Sequence, residues 1–189
     1  MIHVYALCTG YIELDRASMV SDLTAGQPWT VPVTSFLVDH PRGRLLFDTG
    51  VHCQANRPVD LPRPGADQNR MIDGEHDVFG DGSIVLPPTY GHTPGHQSLL
   101  VRTGKNAQIV CASDACYTRE NMDRDVLPKV LWNPSVMRDS LAALRKLRDQ
   151  AGAAMFYGHD PAQWETTPRA PAPVIPSQGS FPFSLRSAR

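Results

Sequence analysis

The chain has 189 residues, 41% of them hydrophobic, and its 18 Lys plus Arg against 19 Asp plus Glu leave a formal net charge of −1. That length suits one domain with a real core, and the even charge balance argues against a nucleic-acid module held by phosphate contacts. No apolar run approaches the ~18 residues of a membrane span, and the first residues lack the basic-then-apolar order of a secretory signal, so a cytoplasmic protein is expected.

The first 50 residues read as strands. Residues 2–7 alternate weakly, 31–39 are rich in β-branched and aromatic side chains, and 45–47 form an apolar run ending on Asp48-Thr49-Gly50. His40-Pro41-Arg42-Gly43 is turn chemistry, so 33–48 is expected to be a hairpin. Residues 51–70, with three prolines and no periodicity, read as loop. Strands resume at 76–79 and 83–86 around Gly80-Asp81-Gly82, and again at 98–102 and 107–112 around a Thr103–Asn106 turn. One helix stands out: Asn133 as its cap, Pro134 at its first position, a stripe of Val136, Met137, Leu141, Leu144 and Leu147, and Gly152 as its stop. A short strand over 153–157 then leads into Gly158-His159-Asp160. Residues 1–164 are therefore expected to form one α/β layered domain with an antiparallel or mixed sheet, and 165–189, rich in proline, a disordered tail. Four scattered cysteines (Cys8, Cys53, Cys111, Cys116) read as reduced, mostly buried thiols.

Side chains that could carry chemistry gather at strand ends. Asp48 closes one strand, Asp114 closes Ile109-Val110-Cys111-Ala112-Ser113, and His159 closes Met155-Phe156-Tyr157-Gly158. Two more imidazoles sit in Gly91-His92-Thr93-Pro94-Gly95-His96. Strand ends next to small residues are where layered α/β proteins build sites, and a cation such as zinc binds imidazole nitrogen and carboxylate oxygen together.

Taken in order, Phe47-Asp48-Thr49-Gly50, Thr89-Tyr90-Gly91-His92-Thr93-Pro94-Gly95-His96-Gln97-Ser98, Ser113-Asp114 with Tyr117, and Tyr157-Gly158-His159-Asp160 resemble the metallo-β-lactamase-fold hydrolases, most closely their N-acyl homoserine lactonase branch. The resemblance runs from residue 1 to Trp164 and implies an αββα sandwich. It implies His92 and His159 as zinc ligands, Asp114 as the carboxylate bridging two zincs, and Tyr117 as the group that steadies the substrate carbonyl. Asp48 would orient a ligand by hydrogen bonding, and His96 would support the loop. The implied reaction is opening of a lactone, or a related small ester, by a zinc-activated water.

The family's H-x-H-x-D-H signature, source of four of its seven metal ligands, has no counterpart in the sequence. Only residues 51–90 separate the two motifs that normally flank it. One strand–helix segment is therefore expected to be missing, with a junction near 65–75, leaving the sandwich incomplete. One zinc or none is expected from His92, Asp114 and His159, with His52 as a candidate substitute ligand. The readings that follow are an impaired lactonase, a shortened non-catalytic member of the family, or a glyoxalase-type thioesterase. Tyr117 and His96-Gln97-Ser98 favour the lactonase branch over the last.

Overall fold

The computed structural model describes residues 1–48, 71–104 and 107–174. Two sheets form the body. In the first, β1 (His3–Asp15), β2 (Pro28–His40) and β3 (Gly43–Phe47) pair antiparallel in that order. In the second, β4 (His76–Asp77), β5 (Ile84–Leu86), β6 (Leu99–Arg102) and β7 (Gln108–Cys111) are antiparallel neighbours, and β8 (Ala154–Phe156) adds parallel to β7. The helices are α1 (Arg16–Met19), α2 (Arg119–Arg124), α3 (Pro134–Asp149) and α4 (Pro161–Thr166).

Alternation along the strands decides which face is buried. Val4, Ala6, Phe36 and Val38 of the first sheet meet Ile84, Leu99, Val101, Ile109 and Cys111 of the second in one apolar layer, which also takes in Trp164. Phe36 and Phe156 make an edge-to-face pair across it, with centroids 5.6 Å apart. The opposite face of the second sheet turns Val85, Leu100 and Val110 toward α3, whose Met137, Leu141 and Leu144 cover them. The result is a helix layer on a double sheet, with α1 against β1 and α4 against β2.

The hairpins fall where the turn residues placed them: Phe36 pairs with Phe47 and His40 with Gly43, and Leu99 pairs with Cys111 and Arg102 with Gln108. The third is shorter than expected, only His76–Leu86 and Asp77–Val85, because the Asp77 carboxylate gathers the N–H groups of Phe79, Gly80 and Gly82 into a loop. β1 is longer than expected. It continues past a bulge between Cys8 and Gly10 to Asp15, following β2 through Pro28. Three short helices lacked a readable period, although each carries a cap: Asp15 for α1, the Thr118–Asn121 capping box for α2 and Asp160 for α4.

The boundary expected at residue 164 needs correction. α4 runs to Thr166, Thr167 is buried, Ala170 N–H donates to the Ala6 carbonyl at 3.2 Å, and Val174 N–H donates to Val4 at 2.6 Å. Prolines remove donors from this stretch, but β1 supplies carbonyls that the remaining N–H groups reach, and the Arg169 guanidinium lies 5.0 Å from the Trp164 ring centroid. Docking on an existing strand edge leaves no periodic trace in composition. Residues 175–189, the rest of the expected tail, lie outside the described residues, as do His52, Cys53, the 51–70 loop and most of the expected junction.

Candidate functional site

The site forms where three strand ends meet. β7 leaves its sheet through Ala112 into a 3-10 turn over Ser113–Ala115, with Ser113 at φ 48°. A bulky neighbour would block that turn. Gly158 supplies none: a Cβ there would stand 2.7 Å from the Ser113 carbonyl oxygen. The chain after β8 can then lie along the turn, with Gly158 N–H donating to Cys116 at 3.1 Å and His159 N–H to Tyr117 at 2.8 Å. Thr34 of β2 ties this junction to the first sheet, its hydroxyl donating to the Gly158 carbonyl at 2.9 Å.

Asp114 emerges between two imidazoles. His159 Nε2 lies 3.0 Å from its Oδ1, and His92 Nε2 lies 3.2 Å from its Oδ2. His159 Nδ1 donates to the Pro32 carbonyl at 2.8 Å, since a carbonyl can only accept. Nε2 and the Asp114 oxygen are then two acceptors facing one another, unless a proton or a cation lies between them. Burial works against the charge on His159, but its hydrogen bond and attraction to Asp114 outweigh that and raise its pKa. Burial likewise opposes the Asp114 carboxylate. The His159 hydrogen bond first, and then the attraction of His159 and His92, outweigh it and hold the acid below the usual Asp range.

Tyr117 completes the group. Its hydroxyl is 3.2 Å from His92 Nδ1 and its ring packs edge-on to His159, with centroids 5.3 Å apart. Burial first, and the Asp114 charge second, push the phenol's pKa well up, so it stays a hydrogen-bond donor. Asp48 closes β3 in a left-handed conformation, φ 57°, and its Oδ2 accepts from the Ser113 hydroxyl at 2.5 Å.

His96 stands one layer back. Its Nδ1 is 3.0 Å from the Thr89 hydroxyl, which is 2.8 Å from Ser98, which donates to the Ala112 carbonyl at 3.0 Å. Because that carbonyl only accepts, the chain runs one way and places the His96 proton on Nδ1. Burial lowers the His96 pKa, in keeping with a neutral ring that braces the loop.

The structure thus brings together His92, Asp114, His159 and Tyr117, with Asp48 and His96 in the shell behind them. Sequence reasoning did not mark Ser113, although a hydroxyl next to the acid was a visible signal. It had no means of marking the Pro32 carbonyl, a backbone group brought in from β2. As zinc donors, two imidazoles and one carboxylate are of the right kind for a single ion with water. Each carboxylate oxygen faces a different imidazole, however, and among the described residues no group of three or more His, Cys, Asp or Glu is arranged about one point that could hold a metal. A two-metal centre does not fit these residues.

A double sheet with helices outside is the metallo-β-lactamase fold, which solved structures similar in shape share. Within that fold, the chain's relatives are N-acyl homoserine lactonases. It is 36% identical over 115 residues to the N-acyl homoserine lactonase AttM of Azorhizobium caulinodans, a match covering 59% of this chain and 44% of that one. It is 31% identical over 91 residues to the N-acyl homoserine lactonase AiiA of Bacillus thuringiensis subsp. kurstaki, covering 48% and 35%. The chain therefore matches less than half the length of these curated relatives. A solved quorum-quenching N-acyl homoserine lactone hydrolase superposes with a TM-score of 0.78 at 22% identity, over 90% of this chain and 97% of that one. AidC, a dizinc quorum-quenching lactonase solved with its product, superposes at 0.62 with 12% identity, over 95% and 96%. No family model matches the chain.

Proposed function

We propose that this chain is a lactonase-type hydrolase whose site holds at most one zinc and opens N-acyl homoserine lactones far more slowly than its relatives. One observation carries the reading: His92 and His159, the two imidazoles at the site, are both directed at the same acid, Asp114. The sequence has no H-x-H-x-D-H segment, and among the described residues no further cluster stands in for the second set of ligands. A single ion would need His92, Asp114 and His159 to turn toward one common point; held there, it would polarise a carbonyl and lower the pKa of water.

The protein's own groups have separate tasks. Tyr117, held protonated, donates to the substrate carbonyl oxygen and steadies the charge that develops there. His159, anchored through Pro32, fixes the side of the site on which Asp114 stands. Asp48, through Ser113, holds the turn that aims Asp114.

The test is metal analysis of the purified chain together with hydrolysis of an acyl homoserine lactone, with the AttM lactonase assayed alongside. The expected result is no more than one zinc per chain and turnover at least about 100-fold below that relative, since even supporting groups of metal sites are worth 10–100-fold. Two zincs per chain with comparable turnover would overturn the reading.

A further inference from the structure

β1 is the outer strand of its sheet, with β2 on one side. On the other side, the carbonyls of Ala6 and Val4 accept from the N–H groups of Ala170 and Val174. Even-numbered residues at this end of β1 therefore turn their main-chain groups away from β2. The bulge between Cys8 and Gly10 inserts one residue and passes that orientation to the odd-numbered ones. The pairing of Tyr11 with Pro32 agrees, because proline has no N–H and the Pro32 carbonyl serves His159 instead.

Beyond the bulge the edge is open. Among the described residues nothing pairs with the outward N–H and C=O groups of Tyr11 and Glu13. Tyr11 is 61% exposed, and Glu13 is exposed beside it. An open pocket of about 350 Å³, lined by Ala6–Tyr11, Trp164 and Arg169, keeps the neighbouring stretch clear. An unpaired edge is a template for another strand, and bulges or charges are what blunt it. Here the bulge lies before Tyr11, and Glu13 is the single charge between Cys8 and Leu14.

We propose that β1 pairs antiparallel with β1 of a second copy of this chain, joining two three-stranded sheets into one. A second copy fits because the open edge is its own complement. Tyr11 meets the partner's Glu13 and Glu13 meets the partner's Tyr11, each pair exchanging both main-chain bonds. Ile12, half-buried, then faces the partner's Ile12 on the two-fold axis. A slip of two residues one way sets Glu13 against the partner's Glu13, like charges directly opposite. A slip the other way leaves only Tyr11 against the partner's Tyr11. So short a ladder makes a weak dimer that forms with rising concentration.

The test is sedimentation equilibrium of the full chain from about 1 μM to about 1 mM, the range in which small interfaces associate. The parent is expected to pass from monomer to dimer. Tyr11→Pro removes an N–H that β2 does not use, so the sheet itself loses no bond. Each bond lost between copies is worth about fivefold and symmetry removes two, so the dimer Kd should rise about 30-fold. Tyr11→Glu, which sets an acid opposite the partner's Glu13, should also weaken the dimer. Tyr11→Lys, which sets a cation there, should keep or tighten it. Thermal melts confirm that each variant folds, and the Glu and Lys pair decides the question if the proline variant does not. A parent that stays monomeric throughout would overturn the pairing. So would a dimer indifferent to Tyr11→Pro and Tyr11→Glu, or one that Tyr11→Glu and Tyr11→Lys weaken alike.

Discussion

Asp114 has two oxygens and gives one to each of two histidines, and that division sets what the site can do. The residues that make it possible are not all chemical. Gly91, just before His92, has φ 127°, and a Cβ there would lie 2.3 Å from the Met137 Cα. The His92 loop therefore rests directly on the backbone of α3, and only glycine permits it. Gly91→Ala is expected to destabilise the protein by about 3 kcal/mol, through the clash and the unfavourable φ together. Gly95, in the same motif, has open space around its Cα. Gly95→Ala should stay within about 0.5 kcal/mol of the parent. Thermal melts of the two variants check the contrast, and equal stability would show that the loop does not bear on α3.

At the scale of the element, α3 links core to site. Its stripe of Met137, Leu141 and Leu144 fills the layer over the second sheet. Its cap, Asn133, accepts from the N–H groups of Ser135 and Val136 while donating its own N–H to Gly91. The start of the helix thus fixes both the His92 loop and the Trp132 loop. Asn133→Ala should cost about 1 kcal/mol of stability, the ordinary worth of a side-chain cap, measured by denaturant unfolding. A loss below a few tenths would mean that the Gly91 contact, which the variant keeps, holds the helix start alone. The shorter helices matter through their caps as well: Asp160 accepts from Gln163 at the start of α4 and from Arg119 at the start of α2, just beyond His159.

Over the whole molecule, contacts distant in sequence join the parts. Glu120 accepts from Arg16 at 2.6 Å, tying α2 to α1 across 104 positions, and from Arg124 at 2.5 Å. Burial works to raise the Glu120 pKa, but the two arginine hydrogen bonds outweigh it and hold it below the usual Glu value. A depressed folded pKa contributes stability that is present above the unfolded value, about 4.3, and is lost as pH falls through the folded value. Glu120→Gln should therefore melt below the parent at neutral pH, with the gap closing below about pH 4. A gap that does not change with pH would rule out the ion pair as its cause.

Chain order alone was enough to read the hairpins at Pro41–Arg42 and around residues 103–106, the start of α3, and the His92, Asp114 and His159 positions, because turn chemistry, capping and strand-end polarity are local. The three short helices escaped because four to six residues do not complete a readable period. The docking of Ala170 and Val174 on β1 escaped because it depends on a partner more than 160 positions away. Residue types and their order marked the candidate groups: the imidazoles of His92 and His159, the Asp114 acid and the Tyr117 phenol. Only the tertiary structure decided that both imidazoles face that one acid, that Ser113 joins Asp48 to it, and that the Trp132 backbone is tied to the His92 loop. The physical reason is range. Propensity and capping operate over a few residues, whereas the donors and acceptors at this site come from three strand ends, the His92 loop and the middle of β2, and meet only when two sheets close on a shared core.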